Sequence, residues 1–133
     1  MKMSEFLEIL GNKYACSDAL DYIEKSKQKP EKLWNKCKMG SWMLWLLRIS
    51  RLGNKIPYKR LCKVTFQEEQ SGPYTMSYKD ILIDGLICMS DPRSCSSLQD
   101  LSKKEKNKIE KSLANYLRKK FSWKQVEKTL SRF

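Results

Sequence analysis

The sequence predicts an all-α fold, a compact single-domain bundle of six or seven helices around a buried central helix. Three observations carry that prediction. Apolar residues recur at intervals of three and four along most of the chain, the period of one helix face. Two Ser-x-x-Glu/Gln signatures mark helix starts in the last third. A length of 133 residues suits one domain, since domains cluster at roughly 100 to 150 residues. Apolar residues make up 41 % of the chain and aromatics 11 %, enough for a core and too many for a disordered polymer.

The elements follow in order. Residues 4–10 place Phe6, Leu7, Ile9 and Leu10 among acids, a short helix ended by Gly11 and Asn12. Cys16, Ala19, Leu20 and Ile23 share the face of a second, which Ser17 or Asp18 can cap and which runs to about Lys29. Pro30 suits the first turn of a third, whose Leu33, Trp34 and Cys37 share a face before Gly40 ends it in the left-handed conformation. Ser41 can then cap a fourth, Trp42 to Leu52, apolar almost all round and therefore the expected buried centre, with Gly53 and Asn54 stopping it.

The middle is less regular. Pro57 to Phe66 fits a basic helix using Leu61, Cys62 and Val64 or an alternating strand, and its helical surroundings favour the helix. Residues 68–76 contain Gly72 and Pro73 and read as a loop. Ser77 with Asp80 opens a helix through Ile81, Leu82, Ile83, Leu86, Ile87 and Met89, expected to pack on the Trp42 helix, and 90–97 is a second loop. Ser102 with Glu105 forms a capping box for a helix with Ile109, Leu113, Tyr116 and Leu117 on one side and lysines on the other. Ser122 with Gln125 repeats the signature before Trp123, Val126 and Leu130.

Charge is the second strong signal. The chain holds 27 Lys and Arg against 15 Asp and Glu, a net +12 with a pI near 9.6. Residues 1–29 are neutral, 30–65 carry +8, 66–100 carry −4 and 101–133 carry +8. Two basic blocks thus flank an acidic segment, and such an excess favours a polyanionic partner, because each neutralised phosphate releases counterions. The candidate contact residues are Arg48, Arg51, Lys55, Lys59 and Arg60 in the first block. In the second they are Lys104, Lys108, Lys111, Arg118, Lys119, Lys120 and Lys124. Lys104, Lys108, Lys111 and Arg118, at steps of four, three and seven, fall near one helical face. Leu113 to Phe121, a Ser122 corner and a helix from Trp123 also match the order of a helix-turn-helix, without the glycine often found in its turn.

Catalytic constellations are sparse. There is no histidine, so the usual general base, the commonest metal ligand and any Ser/His or Cys/His pair are missing. Five glycines form no phosphate-cradling loop or nucleophile elbow. Acidic pairs stand at Glu68/Glu69 and at Asp80/Asp84, and Asp80 and Asp84, one helical turn apart, could share a cation, although capping and solvation explain them as well. Trp34, Trp42 and Trp45 sit at helical spacing and read as core before base-stacking groups. The five cysteines, at positions 16, 37, 62, 88 and 95, contain no C-x-x-C pair, and four lie in apolar helical patterns as small hydrophobes. No metal or other cofactor is expected. Glu5 and Glu8 interrupt the first apolar stretch and the longest apolar run is six residues, so a cytoplasmic chain without a membrane partner is expected.

One stretch carries a family likeness. Ala15-Cys16, Ala19-Leu20 and Tyr22, followed by Trp34, Cys37, Gly40, Trp42, Met43, Trp45 and Leu46, resembles a segment of small helical proteins of phages and prophages, some labelled immunity proteins. The likeness covers residues 14–50 and looks like a helix-pair packing motif. It implies a mobile-element origin, and such proteins often bind and block a host or defence component. With the charge, it gives the expectation of a non-enzymatic inhibitor, anti-CRISPR-like, occupying nucleic acid or a host nucleoprotein complex and using no small-molecule substrate. A helix-turn-helix regulator is the alternative.

Overall fold

A computed structural model of the chain describes residues 1–65, 78–87 and 101–133. Among these residues there are eight α-helices, one 3-10 turn and no strand. The helices are α1 (Met3–Asn12), α2 (Ser17–Ser26), α3 (Pro30–Lys36), α4 (Gly40–Ile49), α5 (Tyr58–Thr65), α6 (Tyr78–Ile87), α7 (Lys103–Lys120) and α8 (Trp123–Leu130), with the turn Leu52–Lys55 between α4 and α5. The all-α prediction holds, with more helices among the described residues than the six or seven expected, and Tyr58–Thr65 of the open segment is helical, as favoured. The loops expected at 68–76 and 90–97, the Ser77 cap, Cys88 and Cys95 lie outside the described residues.

The residues pack as two units, Met1–Cys37 with Arg118–Phe133, and Lys38–Leu117. In the first, α1 packs on α2 and α3 on α8. Phe6, Leu10, Ala19, Leu33, Trp34, Phe121, Trp123, Val126 and Leu130 are its buried apolar residues. The rings organise it. Phe6 meets Trp123 edge-on with centroids 5.5 Å apart, and Trp34 lies 6.4 Å from Trp123, separations at which aromatic pairs add about 0.5–1.5 kcal/mol to their area burial. The Trp34 indole N–H donates to the Phe121 carbonyl at 3.1 Å, so its polar edge is satisfied in the core. The Ser122 capping box forms as expected: the Gln125 backbone N–H donates to the Ser122 hydroxyl, and the Ser122 N–H to the Gln125 side chain.

In the second unit α4 packs on α6, as its apolar surface predicts, and on the turn Leu52–Lys55. Met43, Leu44, Leu46 and Leu47 of α4 are buried, as are Leu61 and Cys62 of α5, Ile83 and Leu86 of α6, and Ile109, Leu113, Ala114 and Leu117 of α7. Trp42 and Trp45 are half-buried, so only Trp34 of the three tryptophans is core throughout. The Ser102 box holds the start of α7, the Glu105 N–H donating to the Ser102 hydroxyl and that hydroxyl to the Glu105 carboxylate.

Five boundary expectations are corrected. Gly40 does not end α3; it is the first residue of α4, and no described glycine has a positive φ. Its hydrogen is needed for packing, since a Cβ there would lie 2.6 Å from Leu113 Cβ, 2.7 Å from the Ala114 nitrogen and 2.7 Å from the Glu110 carbonyl oxygen. Ser41 is consequently inside α4 and not its cap. The cap comes from another helix: buried Glu110 of α7 accepts the Ser41 backbone N–H at 2.8 Å and the Ser41 hydroxyl at 2.9 Å. A carboxylate at a helix N-terminus answers both the unpaired N–H groups and the positive end of the dipole. Cys16, not Ser17 or Asp18, is the N-cap of α2, and it is exposed; of the other described cysteines Cys37 is half-buried and Cys62 is core. Finally, α2 stops at Ser26 because Lys27 turns left-handed (φ 54°), and α4 stops before Arg51 (φ 64°), ahead of Gly53 and Asn54.

Candidate nucleic-acid interface

In the second unit the basic residues come from three neighbouring stretches. Arg48 ends α4, Arg51 and Lys55 flank the 3-10 turn, and Lys59 and Arg60 lie in the first turn of α5; all five are exposed. Lys104, Lys108 and Lys111 project from α7 and are exposed as well, because Ile109, Leu113 and Leu117 take the buried side. Arg60 of α5 lies close enough to Tyr116 of α7 for its charge to oppose the rise that burial imposes on the tyrosine's pKa. Arg48 is also bonded to the Asp84 carboxylate of α6, an exposed pair of the kind worth at most about 1 kcal/mol. Asp84, one of the two acids considered for a cation, is therefore a partner of Arg48. Among the described residues no three Cys, Asp or Glu side chains converge to hold a metal ion.

In the first unit Lys119, Lys120 and Lys124 are exposed, and Lys120 lies 5.8 Å from the Phe121 ring centroid. Arg118 differs from them. It is half-buried, and its guanidinium donates to the carbonyl oxygens of Asn35 at 2.7 Å and Cys37 at 2.8 Å, with a longer contact to that of Trp34. These are the last carbonyls of α3, so Arg118 supplies that helix with both C-terminal hydrogen bonds and a cation at the negative end of its dipole. The sequence places Arg118 in a row with three exposed lysines. The structure sets it apart from them as a helix-capping group.

The C-terminal pair that suggested a helix-turn-helix has its corner at Phe121 and Ser122. The inward residues of α8 are Trp123, Val126 and Leu130, leaving Lys124, Gln125 and Lys128 exposed. Glu127 on the same helix accepts from the Met1 amino group at 3.1 Å and from the Trp123 indole at 2.8 Å. Those two donors hold its carboxyl below the ordinary carboxylate range.

A feature the sequence reading missed lies around α3. Lys27, Lys29, Lys32 and Lys36, with Glu31 as the one acid, line a surface groove of about 550 Å³. The signal was present as four lysines in ten residues, but dividing the chain after residue 29 splits it between a neutral segment and a basic one. Among the described residues no helix is long and apolar enough to cross a membrane. Comparison with protein-family models, with curated proteins and with solved structures gives no match for this chain.

Proposed function

We propose that this chain is a non-enzymatic binding protein of phage or mobile-element type that occupies nucleic acid or a nucleoprotein surface, a counter-defence inhibitor of anti-CRISPR kind. The observation that supports this most is the lysine row Lys104, Lys108 and Lys111 on the solvent side of α7, with Arg60 of α5 beside Tyr116 of the same helix. Rows of like charge at one-turn spacing repel one another, and a polyanion relieves that repulsion while releasing its counterions. The phage-like pattern of residues 14–50 supplies the biological class, and the absence of histidine from the sequence favours action by binding. The test is fluorescence anisotropy with labelled single- and double-stranded oligonucleotides across a salt series, followed by Lys104→Glu, Lys108→Glu and Lys111→Glu together. Affinity is expected to fall steeply with salt, and the triple reversal to reduce the slope of log K against log salt by roughly 3 on duplex. Binding that ignores salt would remove the electrostatic basis of the reading. A pull-down from bacterial lysate with and without nuclease separates a nucleic-acid target from an acidic protein one.

A further inference from the structure

We infer that the groove around α3 is a binding site for the phosphate backbone of a nucleic acid. The site rests on the nucleic-acid reading above and gives it a location that the two basic blocks do not contain. α3 buries Pro30, Leu33 and Trp34, and its opposite face presents Lys29, Lys32 and Lys36 at steps of three and four. Lys27 and Gln28 come from the turn before it, and Asn35 adds a second amide between Lys32 and Lys36. The window 27–36 carries four lysines and one glutamate, a net +3 over ten residues.

Three features point to phosphate as the group recognised. The lining side chains are all polar or charged, four of the seven being lysines, and none is aromatic, so a nucleic acid would be held there through its phosphates and not by base stacking. Its cations are lysines, compact charges that follow a phosphate chain without the fixed fork an arginine imposes. Its volume of about 550 Å³ exceeds what a single phosphate needs and suits several consecutive ones.

Two further observations show that the groove is held in place. Lys27 sits in the left-handed region, at φ 54° and ψ 24°, where glycine is favoured and a long cationic side chain is not. That left-handed residue is the C-cap that ends α2, and the turn carries Lys27 to the edge of the groove. Arg118 then fixes the other end of α3 through Asn35 and Cys37, which makes it a positioning residue and adds a fifth positive charge next to Asn35.

The experiment uses the full chain and a labelled 20-nucleotide oligothymidine as probe, with anisotropy read from low to moderate salt. Lys29→Gln, Lys32→Gln and Lys36→Gln together are expected to raise Kd by about tenfold or more at low salt and to reduce the salt slope by roughly 2. Lys2→Gln, Lys25→Gln and Lys38→Gln, exposed positions outside the groove, make the same change in net charge and are expected to cost far less. Lys27→Gly is expected to melt higher than the wild type and to bind more weakly, opposite movements that a purely structural Lys27 would not give. Equal losses from the two triple variants, or none from the groove variant, would overturn the groove while leaving the wider reading standing. Failure of the unmodified chain to bind the probe or a duplex would overturn both.

Discussion

Replacing Gly40 with alanine tests how closely α4 approaches α7. The added Cβ would stand 2.6 Å from Leu113 Cβ and 2.7 Å from two backbone atoms, the Ala114 nitrogen and the Glu110 carbonyl oxygen, against the 3.4 Å at which ordinary contact begins. Because two of the three obstacles are backbone, rotating a side chain does not relieve the clash. The helices must separate by roughly 0.8 Å, and overpacking of that kind costs about 1–3 kcal/mol. The same movement lengthens the bonds from the Ser41 N–H and hydroxyl to Glu110, which start at 2.8 and 2.9 Å. Hydrogen bonds to a charged group are worth about 1.5–3 kcal/mol, and a buried carboxylate that loses them has no water to replace them. Against this, alanine gains at most about 1 kcal/mol of helix propensity. The expected net loss is about 2–4 kcal/mol, or a fall in melting temperature of roughly 6–16 °C for a chain of this size. Urea and thermal unfolding followed by circular dichroism at 222 nm measure it. A Gly40→Ala variant as stable as the wild type would show that propensity dominates and that the close crossing at Gly40 is wrong.

Related experiments probe the polar contacts. Glu110→Ala leaves the Ser41 N–H without its acceptor and is expected to cost about 2–3 kcal/mol in urea unfolding, with Glu110→Gln costing less because one acceptor oxygen remains. Arg118→Lys is expected to lose about as much stability as Arg118→Ala, since a single ammonium cannot span the Asn35 and Cys37 carbonyls as the two guanidinium nitrogens do; amide exchange in α3 should accelerate in both. Glu127 has a folded pKa below its unfolded one, so its stabilisation is present above the unfolded value and disappears as pH falls through the folded value. The difference in melting temperature between wild type and Glu127→Gln should accordingly be constant near neutrality and shrink below about pH 4.5, and a difference that grows on acidification would contradict the assignment.

Local signals in the sequence were read well where the structure is local. The full box at Ser122, the cap that the Ser102 hydroxyl gives Glu105 and the apolar rows of α7 and α8 depend on neighbours three and four residues away, and they appear where expected. Gly40 shows where such reading stops. A glycine after a helical row looks like a C-cap, but this one answers to Leu113 and Ala114, about seventy positions away, and nothing nearby in the chain announces it. Glu110 shows the same limit, because a glutamate in a lysine-rich helix reads as surface until its partner Ser41 is known. For the basic residues, exposure follows directly from helical periodicity at Lys104, Lys108 and Lys111. At Arg118 periodicity gives the face but not the carbonyls of another helix that wait there.

Arg118 also bears on how the chain is made. Its bond to the Cys37 carbonyl spans 81 residues, and Trp123, which packs against Phe6 and Trp34, comes later still. At about 5–20 residues per second, the first helices wait roughly 4–16 s on the ribosome before the arginine that caps α3 has been synthesised. Residues 38–117 are complete before that moment. The unit built from both ends of the chain is thus assembled last, and until then Phe6 and Trp34 lack the Trp123 ring that covers them.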